Sequence, residues 1–103
     1  MRATIIKDDS TVTIDGTTFA VDCSDLPADF HALQWDGARG EVEYRMVDCA
    51  HCGARSKKPN ATILDFAPYV IYANRWNAAR DAYVKAETLR IAAEKAKADV
   101  AGQ

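Results

Sequence analysis

The stretch Cys49-Ala-His51-Cys52-Gly53 holds two thiols at the spacing with which a tight turn aims both at one metal ion. Two thiolates are half of a tetrahedral zinc site, and Gly53 relieves the turn behind them. The other half must come from elsewhere, because no second paired motif follows. Cys23 and His31 are the candidates, one in the connection that leads into a strand and the other on that strand. Zinc, or another soft metal, is the cofactor such a set would take; nothing else in the chain implies one. A redox dithiol fits less well, since no βαβ pattern surrounds the pair. The plain reading is a surface loop with incidental cysteines and a small buried Cys23.

Other reactive side chains form weaker patterns. Arg55-Ser-Lys57-Lys58 is a short basic patch in the same loop, and a solvated loop explains it. Asp22, Asp25 and Asp29 could face a cation, but they lack the regular spacing of a calcium loop and suit turns and caps. His31 could serve as an acid or base, though a place at a strand end explains it as well. No Ser/His/Asp set, phosphate-cradling glycine loop or nucleotide fingerprint is present. The chain therefore reads as a non-enzyme.

The elements that would position these residues fall into two unlike parts, a β part at 1–65 and a helix at 66–101, within one domain spanning 1–103. In the β part, Asp15-Gly16 between Thr11–Ile14 and Thr17–Val21 is a strong hairpin signal, because it tolerates the positive φ angles of a type I′ turn. That turn pairs Ile14 with Thr17 and Val12 with Phe19. A turn at Asp8-Asp9 then pairs Ile5 with Val12 and Ala3 with Ile14, leaving Thr4, Thr13 and Thr18 on the opposite face. A second hairpin closes over Gly37–Gly40 with Asp36 opposite Glu41. It predicts Trp35 facing Val42, Leu33 facing Tyr44 and His31 facing Met46, while Gln34/Glu43 and Ala32/Arg45 point to water. The fold class is α+β, an antiparallel β-meander of about five strands packed against one long C-terminal helix.

From Asp65 or Pro68 onward, apolar residues recur at helical spacing through Tyr69, Tyr72, Trp76, Ala79 and Tyr83. Asp65 suits an N-cap, and Pro is tolerated in a first turn. About 35 residues make about 50 Å of helix, whereas strands of five or six residues span about 20 Å. Five of the nine aromatics lie at 66–83, and none follows. The first half of the helix should lie on the sheet and the second half should project. Val84, Leu89, Ile91 and Val100 are then the candidate partner-binding residues, docking in a groove, bundle or coiled coil.

Composition narrows the class. The chain has 103 residues, 13 Lys and Arg against 15 Asp and Glu, and a net charge of −2. An acidic balance removes the general electrostatic case for nucleic-acid binding. It is uneven: 1–65 carries 7 basic and 11 acidic groups, and 66–103 carries 6 and 4. No run is long and apolar enough to span a membrane, and Met1–Lys7 lacks a signal-peptide core. These features predict an intracellular protein. Three cysteines cannot form a complete intrachain disulfide set.

The segments Leu26-Pro-Ala-Asp-Phe-His-Ala-Leu-Gln-Trp35, Gly40-Glu-Val-Glu-Tyr44 and Lys58-Pro-Asn60, with Ile63, Asp65, Tyr69 and Trp76, resemble a known family. It comprises short proteins encoded by tailed phages and prophages beside their tail-fibre genes, described as tail or tail-fibre assembly proteins. The resemblance covers about residues 1–80 and brings no catalytic residue with it. Against that family, Met46 to Lys57 looks like an insertion that carries the Cys-x-x-Cys.

The resemblance implies a non-enzymatic phage protein whose partner is a tail or tail-fibre protein, in a homo-oligomer or hetero-complex. It would work in the host cytoplasm during assembly or remain in the virion tail. Two alternatives stay open, a small metal-binding protein using Cys49 and Cys52 and a phage-encoded regulator or inhibitor of a host target.

Overall fold

A computed structural model describes residues 1–48 and 53–101, with side chains as far as Lys97. Six strands form one antiparallel sheet: β1 (Ala3–Ile6), β2 (Thr11–Ile14), β3 (Thr17–Ala20), β4 (Phe30–Trp35), β5 (Gly40–Tyr44) and β8 (Ala61–Ile63). Their order across the sheet is β3-β2-β1-β4-β5-β8. Two further strands, β6 (Val47–Asp48) and β7 (Arg55–Ser56), make a small separate ribbon. A 3-10 turn at Ala67–Tyr69 leads into the helix α1, Val70–Ala101. The architecture is α+β.

The first three strands pair as the hydrophobic alternation requires, with Val12 opposite both Phe19 and Ile5, and Ile14 opposite Thr17 and Ala3. Asp15 and Gly16 both have positive φ, 49° and 88°, as a type I′ turn demands. β1 is not an edge. Its other side pairs with β4, so the connection after β3 must pass two strands to reach β4. This connection is stitched by local turns: the Ser24 N–H donates to Asp22 Oδ1 (2.9 Å), the Leu26 N–H to the Cys23 carbonyl (3.1 Å) and the Phe30 N–H to the Pro27 carbonyl (3.0 Å). It also drops Val21, Cys23, Leu26 and Phe30 into the core.

The second hairpin differs from expectation by two residues. Trp35 lies opposite Gly40, Gln34 opposite Glu41 and Leu33 opposite Val42; the predicted Asp36/Glu41, Trp35/Val42, Leu33/Tyr44 and Gln34/Glu43 pairs do not form. Asp36 belongs to the loop instead, where its Oδ1 accepts the N–H groups of Ala38 (2.9 Å) and Arg39 (2.8 Å). Gly40 permits the tighter closure, because a Cβ there would meet the Gln34 carbonyl and the Trp35 ring at 2.9 Å. A shift of two keeps every side chain on its expected face. A bulge between Phe30 and Ala32 then breaks the ladder at His31, so the predicted His31/Met46 pair is absent. Ala32 faces the open side yet is buried, flanked across the strands by the longer Ile6 and Glu43.

The core lies between the sheet and the start of α1. Ile5, Val12, Ile14, Leu33, Trp35 and Val42 are buried beneath Tyr72, Ala73 and Trp76, with Phe19, Tyr44 and Tyr69 at its margin. Asp65 caps the approach, its Oδ1 accepting the Ala67 N–H at 2.9 Å. Trp76 is seated by an Nε1–H bond to the Thr17 carbonyl (2.9 Å) and an edge-on contact with Phe19 at 5.7 Å. Arg75 ties the helix to the β3–β4 connection with a two-pronged bond to Asp25, at 3.0 and 2.8 Å, and a third to the Asp22 carbonyl.

Candidate interaction surfaces

The 32 residues of α1 extend for about 48 Å at 1.5 Å per residue. The sheet meets it over β2 and β3, and the Phe19–Tyr83 ring pair at 5.6 Å is the last aromatic contact. Past it, Val84, Leu89 and Ile91 are 54, 62 and 56% exposed. The molecule measures 75 × 31 × 17 Å, with a radius of gyration of 19.6 Å. A compact chain of this length would have about 13 Å. The distal half of the helix therefore stands clear of the body, as its length predicts.

The apolar residues on this arm do not form one stripe. At 3.6 residues per turn Val84 and Ile91 lie within about 20° of one another, whereas Leu89 is about 140° from Val84. A partner would meet one side or the other, or enclose the helix. The side chain of Val100 lies outside the described residues. Between the apolar positions, Arg90 donates to Glu87 and Glu94, each at 2.8 Å, and the Thr88 hydroxyl donates back to the Val84 carbonyl. Asp81 lies near Arg80, at 3.4 Å.

Cys49 and Cys52 lie outside the described residues, within the connection of the β6–β7 ribbon. That ribbon branches from the link between β5 and β8, which pair directly. Cys23 is fully buried, and its thiol donates to the Val21 carbonyl at 3.3 Å. Burial, with Asp22 and Asp25 nearby, pushes that thiol up from its usual range. His31 stands at the bulge with Nδ1 3.4 Å from Asp8 Oδ2, and Asp8 also accepts from Arg45. Cys23 is thus held in the core while His31 faces a carboxylate at the surface. Among the described residues no cluster of three or more His, Cys, Asp or Glu could hold a metal ion.

The acidic trio of the β3–β4 connection serves the fold. Arg75 and the Tyr72 hydroxyl, 2.9 Å away, hold the Asp25 carboxyl down at about 2. Burial and the bond to Asp25 push the Tyr72 phenol up to about 12. The Asp22 carboxyl is held low by the Ser24 groups it binds, and Asp29 by Lys58 at 2.7 Å. Lys58 also sits over the Tyr44 ring, 5.3 Å from its centre. With Arg55 3.5 Å from Asp48, two of the three basic residues of the patch have partners.

Sequence reasoning missed a groove on the sheet face opposite the helix. Register places Thr18, Thr13, Thr4, Gln34, Glu41 and Thr62 in one cross-strand row, entirely polar. At its β1–β4–β5–β8 end, a groove of about 410 Å³ opens between Arg2 and Arg39. Both arginines are fixed through their backbones by turn aspartates. The Arg2 N–H donates to Asp15 Oδ1 (2.9 Å), and the Arg39 N–H to Asp36 Oδ1 (2.8 Å). The Asp36 carboxyl is held below its usual range by the Arg39 and Ala38 N–H groups, and the guanidiniums of Arg39 and Arg2 add to this. The alternation of Thr4, Thr13 and Thr18 signals the polar face, but only strand order brings Arg2 beside Arg39.

Among the described residues no helix is long and apolar enough to cross a membrane. Comparison with protein-family models, with curated proteins and with solved structures finds no match for this chain.

Proposed function

We propose that this chain is a non-enzymatic phage protein, a tail accessory or tail-fibre assembly factor. It acts by binding a tail or fibre structural protein through the distal half of α1, in the host cytoplasm during assembly. The observation that carries the reading is the overhang of the helix. Val84, Leu89 and Ile91 stand exposed on the helix beyond the last aromatic contact with the sheet. A helix with uncovered large apolar groups gains free energy when a partner covers them, and helix-in-groove docking uses anchors of this kind. The segments resembling tail-fibre assembly proteins lie mostly in the sheet, which would then serve as the base that presents the arm.

The test is capture from phage-infected cells with the full chain and with a chain ending after Lys85, alongside light scattering of each. The full chain should retain a tail or fibre protein, and the shortened chain should lose it while keeping its fold. Equal capture by both chains would overturn the helix as the binding element. Capture of a host protein alone would overturn the tail assignment.

A further inference from the structure

The groove on the open sheet face has an unusual imbalance of used and unused hydrogen-bonding capacity. Its two carboxylates are partly engaged within the chain: Asp36 Oδ1 accepts two backbone N–H groups, and Glu41 Oε1 accepts the Asn60 amide at 2.7 Å. Its two guanidiniums are not. Among the described residues neither Arg2 nor Arg39 makes a salt bridge or donates a side-chain hydrogen bond, although both line the groove. Each guanidinium carries five N–H donors in a planar fork that matches an oxyanion. The turn aspartates hold both backbones in place.

We infer that this groove, bounded by Arg2, Arg39, Thr4, Gln34, Glu41 and Thr62, binds a small hydroxylated monocarboxylate, the chemical class of the sugar acids. The two arginines take the carboxylate. Glu41 Oε2 and Asp36 Oδ2, with the Thr4 and Thr62 hydroxyls and the Gln34 amide, meet the hydroxyl groups. Charge selects a monoanion over a phosphate dianion, because the two guanidiniums are balanced by two carboxylates in the same groove. Size agrees, since about 410 Å³ lies at the lower end of the about 300–1,000 Å³ common for small-molecule sites. Most such sites are apolar. A polar cross-strand floor suits a ligand that is polar on every side.

The experiment is a titration of the isotope-labelled full chain, followed by amide resonances, with sodium glucuronate as the probe. Glucose, acetate and inorganic phosphate serve as comparisons. Glucuronate should give saturable shifts at Thr4, Gln34, Arg39 and Thr62. Glucose and acetate should bind at least tenfold more weakly, and phosphate more weakly than glucuronate. Arg2→Gln and Arg39→Gln should each weaken glucuronate at least tenfold and leave the remaining resonances in place, since among the described residues neither guanidinium makes a hydrogen bond or salt bridge within the fold. Absence of saturable shifts with glucuronate, unchanged affinity in both variants, or phosphate binding as tightly as glucuronate would overturn the inference.

Discussion

Arg75 grips both carboxylate oxygens of Asp25, Nη1 to Oδ1 at 3.0 Å and Nη2 to Oδ2 at 2.8 Å, and so fastens α1 to the connection that carries the chain across the sheet. The Tyr72 hydroxyl, one helical turn earlier, donates to the same Oδ1. The three groups form one latch, and its protonation should be visible in stability.

Asp25 is held at about 2, below its ordinary 3.8, chiefly by Arg75. Its contribution is therefore present above about pH 4 and is lost as pH falls toward 2. Thermal melts from pH 5 to pH 2 should show a falling midpoint, and Asp25→Asn should make that fall shallower while lowering the midpoint at neutral pH. A parallel fall in both proteins would assign the acid sensitivity to Asp22, Asp29 and Asp36 instead.

The base limb has the opposite sign. Tyr72 is raised to about 12 by burial and by its bond to Asp25, so its contribution is full below about pH 10 and is lost as pH rises toward 12. Tyr72→Phe should remove that loss, read as a flatter midpoint between about pH 10 and 12 by calorimetry.

Trp76 fills the space between α1 and the edge strand β3. Trp76→Ala should cost about 3–5 kcal/mol in a urea titration, a large share of the stability of a small domain. Trp76→Phe keeps most of the packing but strands the Thr17 carbonyl, and should cost about 1 kcal/mol beyond the smaller ring. Equal losses for the two variants would mean that the indole bond, rather than the buried area, seats the helix.

Gly40→Ala tests the register of the second hairpin. Its Cβ would meet backbone and ring atoms at 2.9 Å and Ile63 Cγ1 at 3.2 Å, so overpacking should destabilise the chain by about 1–3 kcal/mol. Had Trp35 faced Val42 this position would be a free loop residue, and alanine would be neutral.

Cys49→Ser with Cys52→Ser should leave the melting temperature nearly unchanged. The ribbon that leads to them contributes nothing fully buried, with Val47 half-covered and Asp48, Arg55 and Ser56 exposed. Zinc bound at one per chain, and lost together with the fold on chelation, would show instead that these cysteines hold the structure.

The division of the chain was legible in its residues. Period-two alternation and the Asp15-Gly16 turn determined the pairing of the first three strands, because the alternation puts Ile5, Val12, Ile14 and Phe19 on one side and the tight turn fixes the register. Helical spacing and length determined that α1 would outrun the sheet. The same alternation is blind to an even shift. The two-residue slip of the second hairpin was decided by Asp36 turning inward on the loop N–H groups and by the missing side chain at Gly40, where a Cβ would not fit. Strand order was equally out of reach, since nothing local says that β1 pairs with β4 as well as with β2. That long-range pairing closes the core in which Cys23 is buried, and sets Arg2 beside Arg39 across the polar face. Local pattern dictates which side of a strand is buried; which strands become neighbours, and so which distant side chains meet, depends on the closing of the whole sheet under its helix.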